Sequence, residues 1–96
     1  LDNIFNPKRM DNKKLDSLKC DLKEFVPNYD KMQIAALASV IYDSDILHKN
    51  AKPKDFKSWQ EQFCDILGVE ESTYKPANIK EEVKEKMENT YYYLFE

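Results

Sequence analysis

Residues Ile34–Ile41 read IAALASVI, eight positions of which only Ser39 is not apolar. Ahead of them stand Asp30 and, three residues later, Gln33. An aspartate whose carboxylate caps free amides while a glutamine at the third helical position reaches back is a capping box, so the run opens a helix. Its apolar positions continue through Ile34, Leu37, Ala38 and Ile41 to Leu47. A helix that is apolar on nearly all sides has no solvent face, which makes this one the central, most buried element.

Upstream, Leu15, Leu18, Leu22 and Phe25 recur at steps of three and four, the stripe of an amphipathic helix starting at Asp11. Pro27 ends it, because the residue before a proline is driven out of helical backbone. Residues 1–10 hold Ile4 and Phe5 ahead of Pro7, Lys8 and Arg9, and read as an arm packed on the body.

Downstream, His48–Lys52 is a polar connection and Pro53 is suited to the first position of a third helix, where its missing amide costs nothing. That helix carries Phe56, Trp59, Phe63, Ile66 and Leu67, with Asp55 in its first turn and Gly68 as the left-handed residue that closes it. Val69–Ala77 forms a loop broken by Pro76. Asn78, with Glu81 three residues on, caps a fourth helix striped by Ile79, Val83, Met87, Thr90, Tyr91 and Leu94. The expected fold is therefore all-α, a bundle of four helices with an N-terminal arm, forming one domain over residues 1–96. An all-β fold is not expected, because hairpins and sheet corners usually call on several glycines for positive-φ turns and the chain has one.

Composition narrows function more by exclusion than by direction. The chain is 42% hydrophobic and 34% charged with a net charge of −3, so no global field draws it onto phosphate backbones. No apolar run nears the ~18 residues of a membrane span, and no signal peptide heads the sequence, so a cytoplasmic protein is expected. The chain begins at Leu1 rather than methionine, and is expected to be a piece of a longer protein. Cys20 and Cys64 sit at helical positions among apolar neighbours and read as reduced core residues.

Catalysis needs a tuned base or nucleophile held against an orienting group. The one histidine, His48, falls at the end of the second helix and reads as a helix-terminal or solvated side chain. One histidine and two separated cysteines lack the close ligand pair of a zinc site, and one glycine allows no phosphate-cradling loop. Asp43 with Asp45, and Glu70 with Glu71, lack the alternating oxygens and glycine of a calcium loop. We therefore expect no enzyme, no cofactor, no metal and no small-molecule substrate.

Two stretches stand above that background. The run HKNAKPKDFK, His48–Lys57, places Lys49, Lys52, Lys54 and Lys57 across the junction of the second and third helices, the outline of a helix-turn-helix contacting DNA. Fourteen of the fifteen basic residues are lysine, which favours phosphate contacts over base readout. The other stretch is the aromatic run Tyr91, Tyr92, Tyr93, Leu94, Phe95. One helix face cannot bury five consecutive large side chains, so either the N-terminal arm covers the remainder or Tyr91, Tyr92, Tyr93 and Phe95 meet a protein partner or a second copy.

The order of motifs also carries a resemblance. ALASVIYDSDIL (36–47), FCDILGV (63–69), Tyr74 and NTYYYL (89–94) together resemble the C-terminal helical region of the RteC family of conjugative-transposon regulators, over about two thirds of the chain. The resemblance implies that Leu37, Ile41 and Tyr42 correspond to that family's first helix, Phe63 and Ile66 to its second, and Asn89, Thr90 and Leu94 to its closing segment. It further implies a regulatory domain of a mobile element. The family tends to be basic just before the closing segment, whereas here Lys86 and Glu88 flank Met87, a departure that touches any implied DNA binding. The reading is thus a non-enzymatic helical interaction or regulatory module, with a DNA-associated regulator as the alternative.

Overall fold

Asp30 does cap the central helix as its sequence requires. Its Oδ1 accepts from the Gln33 amide at 2.8 Å while Gln33 Oε1 accepts from the Asp30 amide at 2.8 Å. The computed structural model describes residues 2–96 and contains four α-helices: α1 (Asn12–Phe25), α2 (Lys31–Asp43), α3 (Phe56–Leu67) and α4 (Glu81–Thr90). Short 3-10 turns at Asp2–Ile4, Val26–Asn28, Pro76–Asn78 and Tyr92–Phe95 supplement them, and the described residues contain no strand. The all-α, four-helix expectation holds.

Every residue from Ile34 to Ile41 is buried, and α4 and α3 pack on α2. Trp59 of α3 is 0% exposed; its indole Nε1 donates to the Ala38 carbonyl at 2.8 Å and its ring lies 5.4 Å from that of Phe63. The hydrogen bond matters because a buried donor without a partner costs about 1–3 kcal/mol. Leu18 and Leu22 of α1, Met87 of α4, and Tyr91 and Leu94 beyond it complete one apolar core. The Cα radius of gyration, 12.3 Å, is close to the ~13 Å of a single 100-residue domain.

Several boundaries differ from the sequence expectation, each for a local reason. Helix α2 stops at Asp43 rather than reaching Leu47, because Ser44 turns extended and its hydroxyl donates to the Ile41 carbonyl at 2.7 Å. The released Leu47 forms an antiparallel bridge with Phe5, and the arm is tied down by Asn6 N to Ile46 O (2.8 Å) and His48 N to Ile4 O (2.6 Å). Pro53 lies before α3, not at its first position: Asp55 is the cap, accepting from the Ser58 amide at 2.8 Å, and Ser58 holds its carboxyl below the usual range. Pro53 instead offers its carbonyl to the Tyr42 hydroxyl at 2.9 Å. Asn78 does not cap α4; it closes the 3-10 turn, and Lys80 precedes the helix without a side-chain cap. Glu81 and Glu82 in the first turn favour the helix dipole in its place.

Gly68 ends α3 at φ 69°, ψ 30°, with its amide on the Asp65 carbonyl and that of Val69 on Cys64. Both cysteines are free, but only Cys64 is in the core; Cys20 is exposed, on the flank of α1 away from Leu18 and Leu22. No helix among the described residues is long and apolar enough to cross a membrane.

Candidate interaction surface at the C-terminal aromatic turn

Helix α4 ends at Thr90, whose hydroxyl turns back to the Lys86 carbonyl at 2.8 Å. Tyr91 then leaves helical backbone (φ −109°, ψ 33°) and the chain winds as a 3-10 turn over Tyr92–Phe95. Three residues per turn eclipse positions i and i+3. Tyr91 and Leu94 therefore share the inward direction, and both are 0% exposed. Tyr93 and Phe95 are half-buried, while Tyr92 is 62% exposed, the one large hydrophobic residue so placed among those described.

The aromatic run is thus divided by the break in winding, and the candidate interface contracts accordingly. Tyr91 is a core residue with no surface to offer. Its hydroxyl lies 3.1 Å from that of Tyr29, and the Tyr93 hydroxyl donates to Asp21 Oδ2 at 2.6 Å. Burial first, then these hydrogen bonds, pushes the ionisation of both phenols well above its ordinary range. The Tyr93 ring meets that of Tyr92 edge-on, with centroids 5.9 Å apart and planes at 84°. The N-terminal arm, which pairs with residues 46–48, does not supply these partners; Asp21 and Tyr29 do.

Tyr92 lines three shallow clefts. One, of about 470 Å³ between α2 and α4, holds Asp43, Glu81 and Glu88 against Lys84. A second, of about 650 Å³ against α1, holds Asp16 and Asp21. The third, of about 280 Å³, holds Asp11 and Glu96 against Lys13 and Lys14. Carboxylates outnumber lysines around the exposed tyrosine.

The second sequence candidate has a different character. Lys49, Lys52, Lys54 and Lys57 are all exposed, the first three on the irregular backbone of residues 44–55 and Lys57 in the first turn of α3. Lys52 Nζ lies 4.5 Å from the centre of the Tyr42 ring. The separation of α2 from α3 by residues 44–55 far exceeds the roughly 3–4-residue turn of a helix-turn-helix. Gln60 of α3 is only 1% exposed, and both ends of its amide hold the backbone of Tyr74, at 2.8 and 2.9 Å. The Gln60 amide is therefore committed to the fold.

His48 sits beyond the end of α2, and its Nδ1 accepts from the Asn50 amide at 3.1 Å. The Cys64 thiol faces the Ser72 carbonyl at 4.0 Å. Asp45 pairs with Arg9 at 3.1 Å and Glu70 with Lys31 at 3.9 Å. No group of three or more metal-capable side chains occurs among the described residues.

A third feature has no signal in the residue pattern: a groove of about 520 Å³ between the C-terminal ends of α1 and α3. Leu22 and Val26 form its floor, half-buried Ile66 and Leu67 one wall, and Lys19 and Lys23 the rim. Apolar spacing identified Leu22, Ile66 and Leu67 as core-facing, but spacing does not reveal whether a neighbour covers them completely. No protein-family model, curated protein or solved structure matches this chain, so the likeness to the RteC family rests on the quoted motifs alone.

Proposed function

We propose that this domain is a non-enzymatic protein-interaction module that docks a partner on the C-terminal turn, with Tyr92 as its anchor. The observation that carries the reading is the 62% exposure of Tyr92 on a base fixed by Tyr91 and Tyr93. An aromatic ring already held in place gives contact area at low entropic cost, the property of an interface hot spot. Around it Asp11, Asp16, Asp43, Glu81, Glu88 and Glu96 outweigh Lys13, Lys14 and Lys84, which favours a partner segment that is basic on balance and carries an apolar anchor. A regulatory piece of a mobile-element protein, the role implied by the RteC likeness, is compatible with such docking.

Selection of a displayed random-peptide library on the immobilised domain tests this. Enriched peptides should place Lys or Arg around an apolar residue, and Tyr92→Ala should weaken the strongest of them at least tenfold with helicity unchanged. Equal binding to the Tyr92→Ala protein, or no enrichment, would overturn the reading.

DNA association is the second reading, favoured by the shared exposure of Lys49, Lys52, Lys54 and Lys57. Contacts would be to phosphates, with binding that weakens steeply as salt rises. Absence of duplex binding at low salt would remove it.

A further inference from the structure

The basic stretch of residues 49–57 runs into a set of aromatic rings. Lys52 Nζ sits over the Tyr42 ring at 4.5 Å, and that ring lies 5.6 Å from the ring of Phe56, the first residue of α3. Phe56 in turn lines a groove of about 650 Å³ together with Lys57, Tyr74 and Lys75, and no carboxylate is among the lining residues. The adjoining Asp55 is taken up by the helix cap, its Oδ1 accepting from the Ser58 amide at 2.8 Å. Aromatic and cationic side chains therefore interleave along one continuous band of surface.

Tyr74 is fixed in that band from below. Gln60 of α3, 1% exposed, donates from Nε2 to the Tyr74 carbonyl at 2.8 Å and accepts from the Tyr74 amide on Oε1 at 2.9 Å. Thr73 and Lys75 on either side are exposed, so the clamp holds the one aromatic residue of the loop. Phe56 and Tyr74 are each half-buried and make no ring contact with each other, which leaves part of each ring open to the groove. Rings on a fixed backbone accept a planar guest at low entropic cost. An acidic peptide would satisfy the lysines and leave the rings without a planar partner, and a duplex keeps its bases stacked on one another. An unpaired base with a phosphate on each side matches both the rings and the lysines.

We infer that this groove binds single-stranded nucleic acid, with an unpaired base against Phe56 and Tyr74 and the flanking phosphates on Lys57 and Lys75. This rests on the DNA reading for its charge and narrows the ligand from a duplex to a single strand. Sequence preference is weak, because every base has a face to stack.

Fluorescence anisotropy of the whole chain with a labelled oligothymidylate at low salt tests it. An abasic strand of the same length, which keeps the phosphates and lacks the bases, and a duplex of the same length should each bind at least about tenfold more weakly. Tyr74→Ala should lose at least about tenfold toward the oligothymidylate and nothing toward the abasic strand. Tyr74→Phe, which keeps the ring, should bind as wild type does, and this separates lost stacking from a disturbed loop; circular dichroism checks that each variant is folded. Lys57→Gln/Lys75→Gln protein should show a shallower fall of log affinity with log salt, by about 0.7 for each phosphate contact removed. Equal binding of the abasic strand, undiminished binding by Tyr74→Ala, or an unchanged salt slope would each overturn the inference. Displacement of the oligonucleotide by polyglutamate at equal charge would also overturn it, and would assign the groove to an acidic protein segment. If the duplex binds as well as the single strand, only the stacking assignment fails and the DNA reading stands; if no strand binds at low salt, both fall.

Discussion

At the C-terminal turn, each tyrosine that flanks the exposed ring is anchored: Tyr91 lies in the core against Tyr29, and Tyr93 is bound to Asp21 on α1. Along residues 44–57, Lys49, Lys52 and Lys54 rest on backbone outside any helix and Lys57 on the first turn of α3, and the Lys52 ammonium group lies over the Tyr42 ring. Both surfaces are accessible, but only one is preorganised. A ligand at the first finds its anchor in place, whereas a ligand at the second must order long side chains, at about 0.5–1.5 kcal/mol for each one immobilised. The contrast separates a surface suited to shape recognition from one suited to diffuse charge attraction.

The largest blow to both surfaces together is Trp59→Ala, which empties the point where α3 meets α2. It should cost roughly 3–5 kcal/mol in urea unfolding; a loss below about 1 kcal/mol would mean that the indole is not central. Tyr93→Phe sharpens the contrast, because it deletes one hydroxyl from the anchored surface. Loss of a hydrogen bond to a partly exposed carboxylate should cost about 1–2 kcal/mol, and a neutral result would show that the turn is not held through Asp21.

The same hydroxyl predicts the alkaline limb of stability. Tyr91 and Tyr93 ionise later in the folded chain than in the unfolded one, where tyrosine titrates near ~10. The folded state then holds more protons, so their contribution is complete below that pH and is lost as pH rises through and above it. Urea midpoints between pH 8 and 11 should fall less steeply for Tyr91→Phe/Tyr93→Phe protein. The smallest effect belongs to the basic stretch: replacing Lys49, Lys52, Lys54 and Lys57 by Gln singly should change stability by no more than about 0.5 kcal/mol. A larger loss would show that those side chains hold structure after all.

Helix content and the core were legible because local signals agreed. The capping box at Asp30, the unbroken apolar run of α2, Trp59 and the terminating Gly68 all pointed to the same elements. Boundaries failed where tertiary bonds competed with propensity. Ser44 released the end of α2 so that Ile46 and His48 could pair with the arm, and Tyr42 drew the Pro53 carbonyl away from a helical start. Cys20 was misplaced on residue type alone: free cysteine is usually buried, but at 3.6 residues per turn position 20 lies across α1 from Leu15, Leu18, Leu22 and Phe25. The aromatic run was visible, but its division was not, since the change from α to 3-10 winding at Tyr91 leaves no mark in a row of three tyrosines.

That division is the claim on which the rest depends, and paired urea unfolding of Tyr91→Ala and Tyr92→Ala proteins tests it most directly. The structure predicts a loss of about 3–5 kcal/mol at Tyr91 and no more than about 0.5 kcal/mol at its neighbour. Equal losses at the two positions, or a larger one at Tyr92, would contradict it.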